Sequence, residues 1–266
     1  MTTNSITRRQ ALGQLSAGTL LALGFWPGHA HGESGGGFRF VVVNDTHYLS
    51  DECGAWLRTI FEKIKAEKPD FCLHAGDLTE YGTEEHLKAV RDVLNQAEVP
   101  THMVIGNHDY TTQTNRAAYE KVFPGKINYA FDHKGWQFVA LDTTEGTRYE
   151  QTSIHESTLQ WVDEQLPKLD KKRPTVILTH FPLGVGVQYR PLNADTLLDK
   201  FREFNLRAVF SGHFHGFTER TAREAVLTTN RCCALKRGNH DKTTEKGYFV
   251  CDAAGQSIKR AFVQVA

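Results

Sequence analysis

Short apolar runs alternate with helix-like patterns along most of the chain. FRFVVV (38–43) has the length and composition of a buried strand, and after it Leu57, Ile60 and Ile64 recur at helical spacing. Beyond Gly216 only strand-like runs remain. Early β-α alternation followed by several strands predicts a layered α/β protein with mixed β-sheets. The predicted strands are 38–43, 71–75, 102–105, 128–131, 136–141, 175–179, 207–210, 225–230, 247–252 and 258–265.

Polar residues mark the starts of two predicted helices. Thr83 precedes two glutamates and an apolar repeat, which is typical of a helix N-cap. Ser157 and Gln160 have the spacing of a capping box and predict a helix start at Ser157. A further helix is predicted over 194–204.

The first thirty residues differ from the rest of the chain. Arg8 and Arg9 precede an uncharged stretch (10–26), and small residues follow at 28–30, which is the pattern of an export signal. The segment TRRQALG resembles a twin-arginine signal, a type that exports folded, often metal-loaded proteins. We therefore expect a periplasmic or secreted protein, without stable membrane contact unless the signal is retained as an anchor. The predicted divisions are an export signal (1–30), a Gly-rich linker (31–37) and one domain (38–266).

Charge and cysteine content narrow the possible partners. Basic and acidic residues both number 31, with no long run of either sign, so the chain lacks the electrostatic footprint of a nucleic-acid-binding protein. A small molecule is the expected partner, and the composition indicates no particular oligomeric state. The five cysteines form no C-x-x-C pair, so an exported form would keep at least one thiol outside intramolecular disulfides.

Polar side chains with ligand atoms follow five of the buried strands. In open α/β sheets, ligands bind at the carboxyl ends of the strands, so these residues locate a site. Imidazoles, carboxylates and a carboxamide without cysteine suit manganese, iron, cobalt or zinc. The residues are Asp45 and His47, Asp77, Asn107 with His108 and Asp109, His180, and His213 with His215.

The ordered blocks D-x-H, G-D, G-N-H-D, H and G-H-x-H resemble the calcineurin-like metallophosphoesterase superfamily. The chain looks most like its bacterial branch related to cyclic-nucleotide and glycerophosphodiester phosphodiesterases. The resemblance implies a four-layer α/β/β/α sandwich with two mixed β-sheets. It also implies a dinuclear site for two divalent or trivalent transition-metal ions (Mn, Fe, Zn or Co) at the strand carboxyl ends.

The resemblance also assigns roles to individual residues. His108 would protonate the leaving oxygen, Glu80 would orient His108, and Asp109 would at most hold the turn. Asn107 and His108 would also contact the substrate, and a hydroxide shared by the metals would attack phosphorus. One metal would be held by Asp45, His47 and His215 and the other by Asn107, His180 and His213, with Asp77 bridging them.

The segment GDLTEYG narrows the substrate class. Protein phosphatases of this superfamily carry G-D-x-x-D-R-G, whose arginine grips phosphate, whereas Tyr81 stands at that position here. A phosphoprotein substrate is therefore disfavoured, and a small phosphodiester is predicted. A phosphomonoester remains the alternative substrate, and a non-catalytic metal-binding module is the alternative class of protein.

The tetrapeptide GNHD occurs twice, at 106–109 and at 238–241. The first copy follows an apolar strand and precedes the remaining ligand blocks, as the family order requires. The second lies in the predicted loop between the strands 225–230 and 247–252. There Asn239, His240 or Arg237 is predicted to contact the distal part of the substrate; the alternative is a plain surface turn.

Overall fold

The predicted strands assemble into two β-sheets. The computed structural model describes residues 36–266. The first sheet contains β1 (Phe38–Val43), β2 (Phe71–His74), β3 (Thr101–Met103), β10 (Gly247–Ala254) and β11 (Ser257–Gln264), in the order β11-β10-β1-β2-β3. The second contains β4 (Tyr129–His133), β5 (Trp136–Leu141), β6 (Thr175–Thr179), β7 (Leu206–Ser211), β8 (Thr218–Ala222) and β9 (Ala225–Thr229), in the order β4-β5-β6-β7-β9-β8. Both sheets are mixed: the first has three parallel strands (β1, β2 and β3) along one side and an antiparallel pair along the other, and the second has four parallel strands at its centre with an antiparallel strand at each edge.

Helices cover the outer face of each sheet. Side chains of β1 alternate between two cores: Val41 packs under the helices, whereas Phe40 faces the second sheet. Phe40 contacts Phe138 and Phe210 edge to face across the sheet interface, with ring centroids 5.8 and 5.9 Å away. Helices α1 (Asp51–Ala66), α2 (Glu84–Ala97) and α3 (Ala117–Val122) pack on the first sheet, and α4 (Glu156–Gln165) and α5 (Ala194–Lys200) on the second. The α/β/β/α order confirms the four-layer prediction.

The helix starts agree with one sequence prediction and correct another. Thr83 caps α2, since its hydroxyl accepts a hydrogen bond from the amide of His86 at 3.2 Å. The predicted capping box at Ser157 is wrong, because α4 has already begun at Glu156. His155 is its N-cap and accepts the amide hydrogen of Ser157 through Nδ1. The helix predicted over 194–204 is also too long, since α5 ends at Lys200.

The N-terminal predictions lie outside the described residues. These are the export signal (1–30) and most of the linker (31–37). Across residues 36–266 no helix combines the length and the apolar character needed to cross a membrane. All five cysteines lie in this part of the chain, and each is a buried free thiol.

Candidate metal centre

The loops after the parallel strands are joined by backbone hydrogen bonds. The amides of Asp45 and His47 donate to the carbonyls of Gly76 and Asp77 at 3.0 and 3.1 Å, which aligns the loops after β1 and β2. The carboxylate of Asp45 accepts the amide hydrogen of His213 at about 3.0 Å, which joins the two sheets. The carboxyl ends of both sheets therefore meet at one site.

Glycines in the sequence motifs make room for the carboxylates. A Cβ atom at Gly106 would lie 2.1 Å from Oδ1 of Asp77, and one at Gly212 would lie 2.6 Å from Oδ2 of Asp45. Either contact is shorter than non-bonded atoms allow. The glycines before Asn107 and before His213 are thus required by the close approach of a buried acid.

Five of the predicted ligands have left-handed backbone conformations. Their φ angles are 52° at Asp45, 43° at His47, 53° at Asp77, 64° at His213 and 47° at His215. Such angles are uncommon for residues other than glycine and cost free energy unless the surrounding structure holds them. The hydrogen bonds between loops therefore impose a local backbone that directs these side chains into the site.

Asp77 lies between two groups of ligand atoms. Its Oδ2 is 3.5 Å from Nε2 of His47, and its Oδ1 is 3.3 Å from Nε2 of His180. On the His47 side, Nε2 of His215 lies 3.2 Å from Nε2 of His47 and 3.2 Å from Oδ1 of Asp45. The first group thus consists of Asp45, His47, Asp77 and His215, whose ligand atoms lie within 4.8 Å of one another.

The second group surrounds His180. Its Nε2 lies 3.1 Å from Oδ1 of Asn107 and 3.2 Å from Nδ1 of His213. Asp77, His180 and His213 also offer ligand atoms within 4.8 Å of one another. The structure therefore brings together all seven predicted ligands, and Asp77 alone belongs to both groups.

The outward ring nitrogens of His180, His213 and His215 face main-chain carbonyl oxygens, and that of His47 lies near a carboxylate without a hydrogen bond of good geometry. A carbonyl oxygen can only accept, so the ring nitrogen beside it carries a proton, and the inward nitrogen is the one that can bind a cation once it has lost its own proton. This is the tautomer that binds a metal, with the outer partner that metal-ligating histidines usually have. The contacts are His180 Nδ1 to Ala75 O (2.8 Å), His213 Nε2 to Tyr149 O (2.8 Å), His215 Nδ1 to Gly238 O (3.3 Å) and His47 Nδ1 to the Glu80 carboxylate (3.1 Å).

Electrostatics also favour cations at this site. Burial alone would raise the pKa of Asp45 and of Asp77, but the surrounding histidines hold both pKa values below the usual range. Burial would lower the pKa of His180, yet the carboxylates of Asp77 and Asp45 raise it to about 9. The acids stay ionised in a dry environment, where they attract positive charge. Nitrogen and oxygen donors without thiolate therefore fit transition-metal ions.

His108 lies beside the cluster and is held from both sides. Its amide donates to Oδ1 of Asp77 at 2.8 Å, and its Nδ1 donates to the main-chain carbonyl of Glu80 at 2.9 Å. The carboxylate of Glu80 instead contacts Nδ1 of His47 and the guanidinium of Arg237. Glu80, the predicted orienting residue, therefore contacts His108 through its main-chain carbonyl, whereas its carboxylate is 3.8 Å away.

Asp109 ties the two central loops together. Its buried carboxylate accepts hydrogen bonds from the amides of Leu78, Thr79 and Gly106 at 2.9 to 3.2 Å. Burial, reinforced by the charge of Asp77, raises the pKa of Asp109 to about 7. Asp109 therefore does more than hold its own turn, because it sets the distance between Asp77 and the first GNHD copy.

The second GNHD copy lies at the mouth of the site. The amide of Asn239 is used within its own loop: Oδ1 accepts from Cys232 N at 2.9 Å and Nδ2 donates to Glu245 O at 2.8 Å. This geometry gives no support to Asn239 as a substrate contact. The exposed His240 ring stacks on His215, with centroids 4.9 Å apart, and it does face the opening.

Two tyrosines that the sequence analysis missed also lie at this mouth. The ring of Tyr189 is edge-on to the ring of His213, with a centroid distance of 5.1 Å. The ring centroids of Tyr149 and Tyr189 are 6.4 Å apart. Tyr149 is more than half exposed. Neither tyrosine directly follows a buried strand, so the pattern that located the ligands gave no signal for them.

Comparison with known proteins agrees with this geometry. Residues 38–217 match the family described as Calcineurin-like phosphoesterase. A "Probable cyclic nucleotide phosphodiesterase" of Synechococcus sp. is 29% identical over 189 residues, which cover 65% of this chain and 71% of that protein. A "Probable glycerophosphodiester phosphodiesterase" of Arcobacter nitrofigilis is 27% identical over 212 residues, which cover 71% of this chain and 76% of that protein.

Among solved structures, a dimetal phosphatase from Danio rerio shares the fold. Its TM-score is 0.67 at 15% identity, and the match covers 85% of this chain and 95% of that one. The family match extends over more than half of the chain and includes every residue of the two ligand groups. The protein therefore belongs to the calcineurin-like phosphoesterase family and is a metal-dependent hydrolase of phosphoric esters.

Proposed function

We propose that this protein hydrolyses a small phosphodiester at a dinuclear metal centre. The observation that carries the proposal is the placement of Asp77, whose two carboxylate oxygens face different histidine groups. A carboxylate in that position is suited to link two cations. The similarity to proteins named as cyclic-nucleotide and glycerophosphodiester phosphodiesterases supports a diester as the substrate.

The residues divide naturally between two ions. When bound, two such ions supply positive charge and Lewis acidity to the phosphoryl group. Manganese, iron, zinc and cobalt all suit the donors. Asp45, His47, His215 and Asp77 would hold one ion, and Asp77, Asn107, His180 and His213 the other.

His108 is the proposed general acid. Its Nδ1 is committed to the carbonyl of Glu80, so Nε2 is the nitrogen that exchanges a proton with substrate. In the protonated ring, Nε2 donates to the leaving oxygen, and the neutral tautomer that remains keeps its Nδ1 hydrogen bond. The ring is 26% exposed and adjoins His47, so it borders the cluster and is open to a solute.

The substrate class is tested by two chromogenic esters. Protein loaded with Mn²⁺ is expected to cleave bis-p-nitrophenyl phosphate with a kcat/KM at least about tenfold above that for p-nitrophenyl phosphate, a difference of ~1.4 kcal/mol in transition-state binding. A chelator should abolish both activities. The opposite ratio would assign a phosphomonoesterase. If neither ester were hydrolysed with Mn, Fe, Co or Zn, the protein would instead be a non-catalytic metal-binding protein.

We also propose that the protein is exported in its folded state to the periplasm or beyond. Arg8 and Arg9, followed by the uncharged stretch 10–26, support a twin-arginine signal. Five buried free thiols are compatible with folding in a reducing compartment before export.

The export proposal is tested by a double substitution, Arg8→Lys with Arg9→Lys. We expect the variant to accumulate in the cytoplasm, whereas the wild-type chain is recovered from the periplasm or the medium when cell fractions are probed with an antibody. Unchanged export of the variant would exclude the twin-arginine route.

A further inference from the structure

We infer that Arg237 grips a non-bridging oxygen of the substrate's phosphoryl group. Arg237 comes from the mouth loop, defined as residues 230–246, which contains the second GNHD copy. The inference rests on the proposed function for the identity of the substrate. Binding of a phosphate anion can be measured independently of that function.

The guanidinium of Arg237 is fixed beside His108. Its Nε donates to Oε2 of Glu80 at 3.0 Å, and its Nη2 donates to Oε1 of the same carboxylate. The Nη2 atom also lies 3.4 and 3.3 Å from Nδ1 and Nε2 of His108. Because Glu80 also contacts Nδ1 of His47, one carboxylate aligns the guanidinium with the metal-binding cluster.

One edge of this guanidinium remains available to a solute. Within residues 36–266, Nη1 of Arg237 has no hydrogen-bond partner, and about a third (34%) of the side chain is exposed. Nη1 carries two N–H groups, and guanidinium donors match the geometry of phosphate oxygens. An arginine already oriented by a carboxylate loses less rotamer entropy when it binds an anion.

The backbone that carries Arg237 is also anchored. Nζ of Lys246 donates to the carbonyl oxygen of Arg237, and the next carbonyl, that of Gly238, accepts from Nδ1 of His215 at 3.3 Å. The side chain of Asn239 then closes the loop onto Cys232. These contacts fix the position of Arg237 relative to His215, a predicted metal ligand.

A purely structural role would predict different behaviour. In that case Arg237 would serve only to hold Glu80, and through it His47. Its loss would then disturb metal content, and no added solute would replace it. The two roles therefore differ in whether Arg237→Ala changes metal content or changes the binding of a phosphate anion.

The test compares Arg237→Ala and Arg237→Lys with the neighbouring Lys236→Ala. Lys236 is on the same loop but pairs with Glu52 on the surface, so it is the matched control. In Mn²⁺-loaded protein, Arg237→Ala is expected to raise the inhibition constant of inorganic phosphate and the KM for bis-p-nitrophenyl phosphate about tenfold or more. Arg237→Lys should be intermediate. Metal content and thermal midpoint should stay at wild-type values, and added guanidinium ion should restore part of the binding.

Two results would overturn the inference. One is that Arg237→Ala keeps the phosphate inhibition constant and the KM within about twofold of the wild-type values, which is the result expected of the control Lys236→Ala. The other is loss of metal without rescue by guanidinium. If the wild-type protein cleaves neither ester, the proposed function fails, yet calorimetric titration of the Mn²⁺-loaded wild type and Arg237→Ala with inorganic phosphate still decides the role of Arg237.

Discussion

Asp77→Asn is expected to remove the capacity to hold two metal ions and to lower hydrolysis more than about 10³-fold. Loss of even an outer partner of a metal ligand usually costs roughly 10–100-fold. Asp77 is the single residue shared by both ligand groups, and asparagine has nearly its shape but no charge. The measurements are metal content per chain after gel filtration and kcat/KM for bis-p-nitrophenyl phosphate.

Glu80→Gln is the comparison for this variant. It also removes a carboxylate next to His47, but one that is not among the seven predicted ligands, although its oxygen lies within 4.8 Å of ring nitrogens of His47 and His108. We expect it to retain most of its metal and to lose activity by only about 10–100-fold. If Asp77→Asn bound two ions per chain and kept its activity, Asp77 would not bridge the ions.

His108→Ala is expected to keep both metal ions and to lose roughly 10²- to 10⁴-fold in kcat. The loss should be largest for diesters with alkoxide leaving groups, because these need a proton as the bond to phosphorus breaks. It should be smallest for p-nitrophenolate, which leaves without one. The check is a plot of log kcat against leaving-group pKa, which should be steeper for the variant than for wild type.

His240→Ala provides the control, since His240 is an exposed histidine at the same mouth. It should leave the dependence on the leaving group unchanged. An equal loss for all leaving groups in His108→Ala would contradict its role as an acid. Loss of metal from that variant would show instead that the ring helps to maintain the cluster.

The buried elements of the fold were predictable because their apolar positions repeat clearly. Strand β8 was not, since its sequence TERTA is largely polar and exposed at the edge of the sheet. Its structure comes from pairing with β9, a tertiary interaction that leaves no apolar pattern. The capping error at Ser157 has a different cause, because a short motif can match by chance two residues after the true N-cap, His155.

The clustering of the seven predicted ligands could be predicted because parallel strands end at a common edge, which brings distant residues together. The partners that orient them were not. His213 is held by the carbonyl of Tyr149 and His180 by that of Ala75. Every residue has a main-chain carbonyl group, so the sequence does not indicate which carbonyl will accept a hydrogen bond from a given histidine. Only the relative placement of the two sheets decides it.

The mouth loop lies beyond residue 217, where the family match ends. The predicted metal ligands and the mouth loop therefore occupy separate stretches of the chain, although Tyr149 and Tyr189 at the same mouth lie within the family match. A new substrate preference could arise from insertions or exchanges within the loop, provided that a main-chain carbonyl remains to hold His215. A graft of this loop between homologues would therefore have to keep the Arg237–Glu80 pair as well as the carbonyl beside His215.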